Sequence, residues 1–443
     1  MSNWQKVKIG DFLFERKGRY KPNDEQIVNL PRIEKIDFSG NFHIGNKDSK
    51  TDMILIKDGD LVISGINVAK GAMGIYSGED VTATIHYSSY TFDSNKINVE
   101  YFKRFLKSSE FIELLNEQVK GGIKTEIKPK HILPLEIQLP DINTQAQIVQ
   151  HFENVEDDIA DVTKEVLKQE SLLKKLKQTI LQEAIEGKLT AKWRAKNPDI
   201  GTAKELLDQI KTEKEQLVKD KKIKASKLLA PINEDEIPFD IPPSWEWCKF
   251  GEIIYENPRN GYSPKTVDYK TEIKTLKLGA ITQGYFDTTQ IKYLDISIEK
   301  DSFLWLKKGD VLIQRSNSLE HVGMAGIYNL KDTNYIYPDL IMKCQVVQPV
   351  INYFIHKYLV SNFTREYFRN NASGAQQSMP KINQGTVTNL LVPLPPTEEQ
   401  KEIVATIEKL FTICDELESE INQNKTTVDN LMARVLKEAF EQQ

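Results

Sequence analysis

The chain is written twice, and that repetition limits its fold more than any other feature. Trp4-Gln-Lys-Val-Lys-Ile-Gly10 returns as Trp245-Glu-Trp-Cys-Lys-Phe-Gly251. Ile56-Lys-Asp-Gly59-Asp60-Leu-Val-Ile returns as Leu306-Lys-Lys-Gly309-Asp310-Val-Leu-Ile, and Gly71-Ala-Met-Gly74-Ile-Tyr76 as Gly323-Met-Ala-Gly326-Ile-Tyr328. Leu139-Pro140 with Gln145 and Ile148-Val149 returns as Leu394-Pro395 with Gln400 and Ile403-Val404. The offset drifts from 241 (Gly10 to Gly251) through 250 (Gly59 to Gly309), then holds at 255 from Leu139 onward. A drifting offset marks a body whose surface loops tolerate insertions. A fixed offset marks a helix held in register. The period is too long for a solenoid and implies tandem duplication of a domain with its attached helix.

The helical part reads as a coiled-coil seam. Apolar positions run Ile148, Phe152, Val155, Ile159, Val162, Val166, then Gln169, then Leu173, Leu176, Ile180. The second copy runs Ile403, Ile407, Leu410, Cys414, Leu417, Ile421, then Asn424, then Val428, Leu431, Val435. Steps alternate between three and four, as a heptad requires. The polar residue at the same place in both copies is either a register pin or a tolerated gap near a bend. Each helix covers about 38 residues, roughly 57 Å, more than a body of some 140 residues can bury. An antiparallel pair with a pseudo-twofold axis, acting as a spacer between two heads, is the expected outcome.

Length and composition fit this plan. The 443 residues suggest roughly three ordinary domains, and 40% apolar with 28% charged residues is globular material. Short apolar runs such as Ile132-Leu133-Pro134-Leu135 exclude a bilayer-spanning helix, and the mean hydropathy is −0.45. No export leader is read at the start, and Cys248, Cys344 and Cys414 match no zinc spacing, so the cytoplasm is the expected compartment. The expected division is a first head over 1–140, a first helix over 141–190, a linker over 191–244, a second head over 245–394 and a second helix over 395–443. The linker occurs once. It carries a predicted helix over 202–226 with Lys211, Lys214, Lys219, Lys221, Lys222 and Lys224, followed by an acidic, proline-rich stretch from Pro231 to Pro243. Such a charge run is ordinarily a solvated helix face; the alternative is that the lysines lie along nucleic acid.

Familiar catalytic signatures are missing. No two glycines are separated by a single residue, so there is no G-x-G nucleotide loop, and no Gly-Lys-Ser/Thr phosphate loop occurs. Asn-Pro occurs only as Asn197-Pro198-Asp199 and Asn257-Pro258-Arg259, and the six histidines are scattered. The heads carry short Val/Ile-rich runs followed by helix, an α+β pattern. Three polar loops recur in both. The first pairs Arg16, Lys17, Arg19 and Tyr20 with Arg259, Asn260 and Tyr262. The second pairs Asn67 and Lys70 with Arg315, Ser316, Asn317 and Ser318. The third pairs Lys124, Thr125, Lys128 and Lys130 with Gln376, Gln377 and Lys381. Arg, Asn, Gln and Ser are residues that read base edges, and lysines suit phosphates. A net charge of 59 − 64 = −5 stands against nucleic acid unless the acidic residues gather elsewhere.

Three stretches together resemble the specificity (S) subunits of type I restriction–modification systems: Leu394-Pro-Pro-Thr-Glu398-Glu399-Gln400 with Ile403-Val404, Ile180-Leu-Gln-Glu-Ala-Ile-Glu-Gly187-Lys-Leu-Thr190, and Ile241-Pro-Pro-Ser-Trp245. The likeness covers essentially the whole chain. It implies two α+β target recognition domains, each reading half of a bipartite site on double-stranded DNA, separated by two antiparallel helices. It further implies two docked methyltransferase subunits and restriction–translocase subunits, with no membrane. No catalytic residue, metal or cofactor is expected on this chain; S-adenosylmethionine, ATP and magnesium fall to the partners. The first half has Asn143-Thr144-Gln145 where the second has Glu398-Glu399-Gln400, which leaves open whether the two docking surfaces are equivalent. The alternative is a coiled-coil scaffold whose heads bind protein.

Overall fold

A computed structural model describes residues 4–46, 49–66, 72–118, 127–226, 228–331, 334–348, 350–374 and 379–441. The chain divides into two compact units, residues 1–168 with 421–443, and residues 169–420.

In the first unit the β-branched runs form short strands: β1 (Gln5–Lys8), β2 (Leu13–Glu15), β3 (Arg32–Ile36), β4 (Phe42–Gly45), β5 (Met53–Ile56), β6 (Leu61–Ser64), β7 (Met73–Ile75), β8 (Val81–Thr84) and β9 (Tyr87–Phe92). Three helices follow, α1 (Val99–Phe105), α2 (Ser109–Gln118) and α3 (Pro129–Ile132), then β10 (Glu136–Leu139) and the long α4 (Ile142–Ile185). Helix α1 starts where Asn98 accepts hydrogen bonds from the amides of Glu100 and Tyr101. The strands form two four-stranded sheets, ordered β2-β9-β6-β7 and β4-β3-β8-β5, and β1 pairs separately with β10. Strand β6 is buried along its whole length. The main core joins Phe12, Tyr90, Phe102, Phe105 and Phe111 to Phe152 on α4, with Val435 packed at its margin.

The second unit begins with the end of α4, then α5 (Ala191–Lys196) and α6 (Ala203–Lys219). Next come β11 (Glu246–Lys249), β12 (Arg259–Asn260), β13 (Ile273–Leu276), β14 (Ile291–Leu294), β15 (Val311–Gln314), β16 (Ala325–Ile327), β17 (Tyr335–Ile336) and β18 (Ile341–Cys344). The chain continues through α7 (Asn352–Leu359), α8 (Asn362–Asn370), α9 (Gln384–Thr388) and β19 (Leu391–Leu394), and ends in α10 (Thr397–Glu441). Its sheets are ordered β12-β18-β15-β16 and β14-β13-β17, with β11 paired to β19. The first unit is repeated strand for strand, except that β5 has no named counterpart among the described residues. The register repeats as well, with Leu61 opposite Ile75 in one copy and Val311 opposite Ile327 in the other.

The linker helix α6 is held in place. Thr202 and Glu205 form a capping box at its start, and Ala203, Leu206 and Ile210 are buried. Lys214 turns inward and donates to the carbonyls of Gly251 and Glu252 at 3.0 and 3.2 Å. Lys214 is therefore no part of a solvated face, whereas Lys211, Lys219, Lys221, Lys222 and Lys224 are exposed. The helix ends at Lys219, capped by Asp220, rather than continuing to 226, because Lys221 takes a left-handed conformation at φ 58°.

The two rows of the seam are buried unequally. In the second unit Leu173, Ile180, Ile403, Ile407 and Cys414 are buried, Gln169 and Leu410 are intermediate, and Leu176 and Leu417 are exposed. In the first unit Phe152, Val166 and Ile421 are buried, and Ile148, Val155, Ile159, Val428 and Val435 are intermediate. Val162, Asn424 and Leu431 there are exposed. Each helix thus buries one heptad row more fully than the alternate row, whose exposed members are Val162 and Leu176 on α4 and Leu417, Asn424 and Leu431 on α10. The antiparallel sense is explicit in the second unit, where Lys177 Nζ meets Asp415 and Glu418 at 2.9 and 2.7 Å while the later Thr190 meets Glu399.

Candidate nucleic-acid interface

Strand direction explains how the loops come together. In the first unit β2 and β6 are both antiparallel to β9, so the loops that follow them leave the sheet from one edge. The third loop joins them where Ile127 N donates to Gly65 O at 2.7 Å. In the second unit β12 and β15 flank β18 in the same way. There Ser316 bridges Lys381, and Gln384 Nε2 donates to Pro258 O at 2.7 Å, so all three loops share one surface.

The predicted residues differ in how free they are. Lys17, Arg19, Lys128 and Lys130 are exposed on the first unit, and Tyr20 is half-buried with its backbone bridged to Met53. Arg16 is held internally, its Nε and Nη2 on Asp60 at 2.6 and 2.7 Å. On the second unit Tyr262, Ser318 and Lys381 are exposed, while Asn260, Arg315 and Asn317 are half-buried. Asn260 Oδ1 has no hydrogen-bond partner among the described residues. Arg259 pairs with Glu256 at 2.6 Å and lies 5.1 Å from the ring centre of Phe303. Ser316 is fully buried and donates to Pro380 O. Arg16 and Ser316 therefore hold their loops in shape, because groups already paired inside the fold are poorly placed to pair outside it. Asn67, Lys70, Lys124, Thr125, Gln376 and Gln377 lie outside the described residues.

Three positioning features are not evident from loop composition. Asp60 is buried and accepts from Lys57 N, Ser89 Oγ and Arg16. Its copy Asp310 accepts from Lys307 N and Gln345 Nε2, with Lys343 at 3.6 Å. Each follows a turn glycine with positive φ, Gly59 at 81° and Gly309 at 96°. Gln145 and Gln400 are likewise buried twins. Gln145 accepts from Asn98 N and donates to Pro140 O and Lys96 O; Gln400 accepts from Ile351 N and donates to Pro395 O. Their appearance in both halves of the sequence was the available signal.

The third feature occurs once. Glu399 is fully buried and accepts from Thr190 Oγ1 at 2.7 Å, Arg194 Nη1 at 2.5 Å and Trp245 Nε1 at 2.8 Å. Arg194 also donates to Gly187 O. A Cβ on Gly187 would lie 2.4 Å from Pro242 Cγ. The three distant stretches that carry the family resemblance thus converge on one carboxylate.

Residues 242–424 match the family described as type I restriction modification DNA specificity domain. The type I restriction enzyme EcoEI specificity subunit of Escherichia coli is 31% identical over 269 residues, 58% of this chain. The match spans 43% of that relative's own length. The EcoAI specificity subunit of Escherichia coli is 26% identical over 469 residues, covering 91% of this chain and 77% of the relative. A chain solved in work on complex assembly and conformational transition of the type I R-M system has the same fold, with a TM-score of 0.65, 15% identity and coverage of 99% and 97%. The HsdS subunit from Thermoanaerobacter tengcongensis follows at a TM-score of 0.56, 16% identity and the same coverage. Fold and loop arrangement define the class, a duplicated α+β protein with helical spacers. Within it, the chain is similar to the specificity subunits of type I restriction–modification systems.

Proposed function

We propose that this chain is the non-catalytic DNA-recognition subunit of a type I restriction–modification complex. Each α+β body reads one half of a bipartite target, and the paired long helices set the gap between the halves. The observation that carries this reading is the duplicated loop surface, which presents exposed Lys17, Arg19, Lys128 and Lys130 beside Tyr20 in one copy and exposed Lys381 and Tyr262 beside half-buried Asn260 and Asn317 in the other. Two methyltransferase subunits dock on the helices. The exposed apolar residues of the helices support that assignment, since Leu176 and Leu417 of the seam and Leu172 and Ile413 beside it leave apolar area in water on one unit. S-adenosylmethionine, ATP and magnesium reside on the methyltransferase and restriction–translocase partners, and the complex works in the cytoplasm, directing adenine methylation or restriction.

Exchanging residues 1–140 for the corresponding part of another specificity subunit tests this directly. Methylation mapping is expected to show one half of the recognised sequence changed and the other retained. Inserting four residues into both helices is expected to lengthen the unspecified gap, and an unchanged gap in an active complex would refute the spacer role. No retardation of duplex DNA, with or without co-expressed methyltransferase, would favour a protein-binding scaffold.

A further inference from the structure

The exposed lysines at the end of α6 and just beyond it belong to neither loop set, and they occur in only one copy of the duplicated plan. Their placement is fixed at both ends. Lys214, about three turns along the helix, is held on the carbonyls of Gly251 and Glu252, and Tyr255 Oη donates to Glu213. Past the helix, Lys224 N donates to Glu256 Oε1 at 3.2 Å, and the same carboxylate takes Arg259 on its other oxygen. The segment therefore runs beside the first loop of the second unit. Lys219, Lys221, Lys222 and Lys224 all face solvent. The acidic groups nearby are Asp220, 3.6 Å from Lys222 Nζ, and Glu256, already paired with Arg259.

The backbone supplies an independent observation. Lys221 N donates to Val218 O and Lys222 N to Leu217 O, the two bonds of a Schellman turn. The left-handed position of that turn favours glycine, yet lysine occupies it at φ 58°. A strained non-glycine residue in an exposed turn points to a side chain kept for use rather than for folding.

We propose that these four lysines form a phosphate clamp that grips the DNA backbone beside the half-site read by the second unit, with no counterpart at the first. Lysine suits this task as a point charge on a long stem, which contacts phosphate without reading bases. The proposal rests on the DNA-reading role set out above and adds to it an asymmetry of grip. The clamp changes how strongly and where the duplex is held, and leaves the recognised bases alone.

The test uses the complete chain assembled with its methyltransferase subunits, and as probe the duplex whose sequence methylation mapping identifies. In the variant K219Q/K221Q/K222Q/K224Q, the slope of log affinity against log salt is expected to fall by about two to four, since each lost phosphate contact removes roughly 0.9. The methylated sequence should be unchanged. Trimming the duplex outside the second half-site should weaken the wild type and not the variant, and trimming outside the first should affect both equally. K221G separates grip from folding, because it should raise the melting temperature while lowering the salt slope by about one. A variant with the wild-type slope overturns the clamp. A variant that keeps the slope but loses methyltransferase assigns the lysines to protein docking and also overturns it. A wild-type complex that retards no duplex overturns the DNA-reading role itself, a separate result.

Discussion

Gln145 and Gln400 perform the same task in two places, each binding the amide that opens its unit's following helix segment and a proline carbonyl at the root of its long helix. Gln400→Ala leaves Ile351 N–H and Pro395 C=O buried and unpaired, so chemical denaturation should report a loss of about 1–3 kcal/mol. Gln145→Ala should cost a similar amount. His356 on α7 titrates in the opposite sense to a partnered histidine. Burial, helped by neighbouring Lys357, lowers its pKa from 6.5 to about 4. The unfolded chain then binds the proton more readily, so stability is complete above pH 6.5 and declines as pH falls toward 4. A denaturation series against pH should show a slope of up to one proton in that window, and His356→Asn should flatten it. Repetition made the glutamines conspicuous in the sequence. Their work was not legible, because each main-chain amide they bind lies 47 or 49 residues away. Composition also singled out Arg16 and Ser316 as readers, whereas contacts with Asp60 and Pro380 occupy them.

At the scale of elements, the heptad correctly marked two long helices, α4 with 44 residues and α10 with 45. It did not reveal that one row would be buried more fully than the other, since three-four spacing fixes a stripe and not the rotation of the stripe toward its neighbour. Nor did it show that the linker helix docks, because Lys214 is indistinguishable by charge from the exposed lysines around it. Glu399 ties α10 to α5 and β11's leading segment through side chains far apart in sequence. Removing it as Glu399→Ala strands the Arg194 guanidinium and the buried Trp245 indole N–H, so the urea midpoint of the second unit should drop by an amount equivalent to about 2–3 kcal/mol. Glu399→Thr, which installs the residue of the first copy at this position, should not restore it, because a threonine hydroxyl cannot meet three donors. Hydrogen exchange across 187–200 should quicken in both variants and remain unchanged across the first unit.

At the scale of the molecule, the net charge of −5 conceals a division of labour. Exposed Lys17, Arg19, Lys128, Lys130 and Lys381 sit on the loop surfaces, while exposed Asp415, Glu416, Glu418 and Glu420 line α10. The three cysteines are also unevenly placed. Cys248, Cys344 and Cys414 are all buried, and all lie in the second unit. A thiol reagent should leave the native chain unlabelled and mark all three sites only when that unit opens. Melting of the first unit alone should yield no adduct in the mass spectrum. A last consequence follows from the way each body closes, with its first strand hydrogen-bonded to its last, Gln5 opposite Leu139 in one copy and Glu246 opposite Leu394 in the other. Entry and exit share one doorway, so a gene of this design can trade a whole body through two recombination crossovers without resetting either helix.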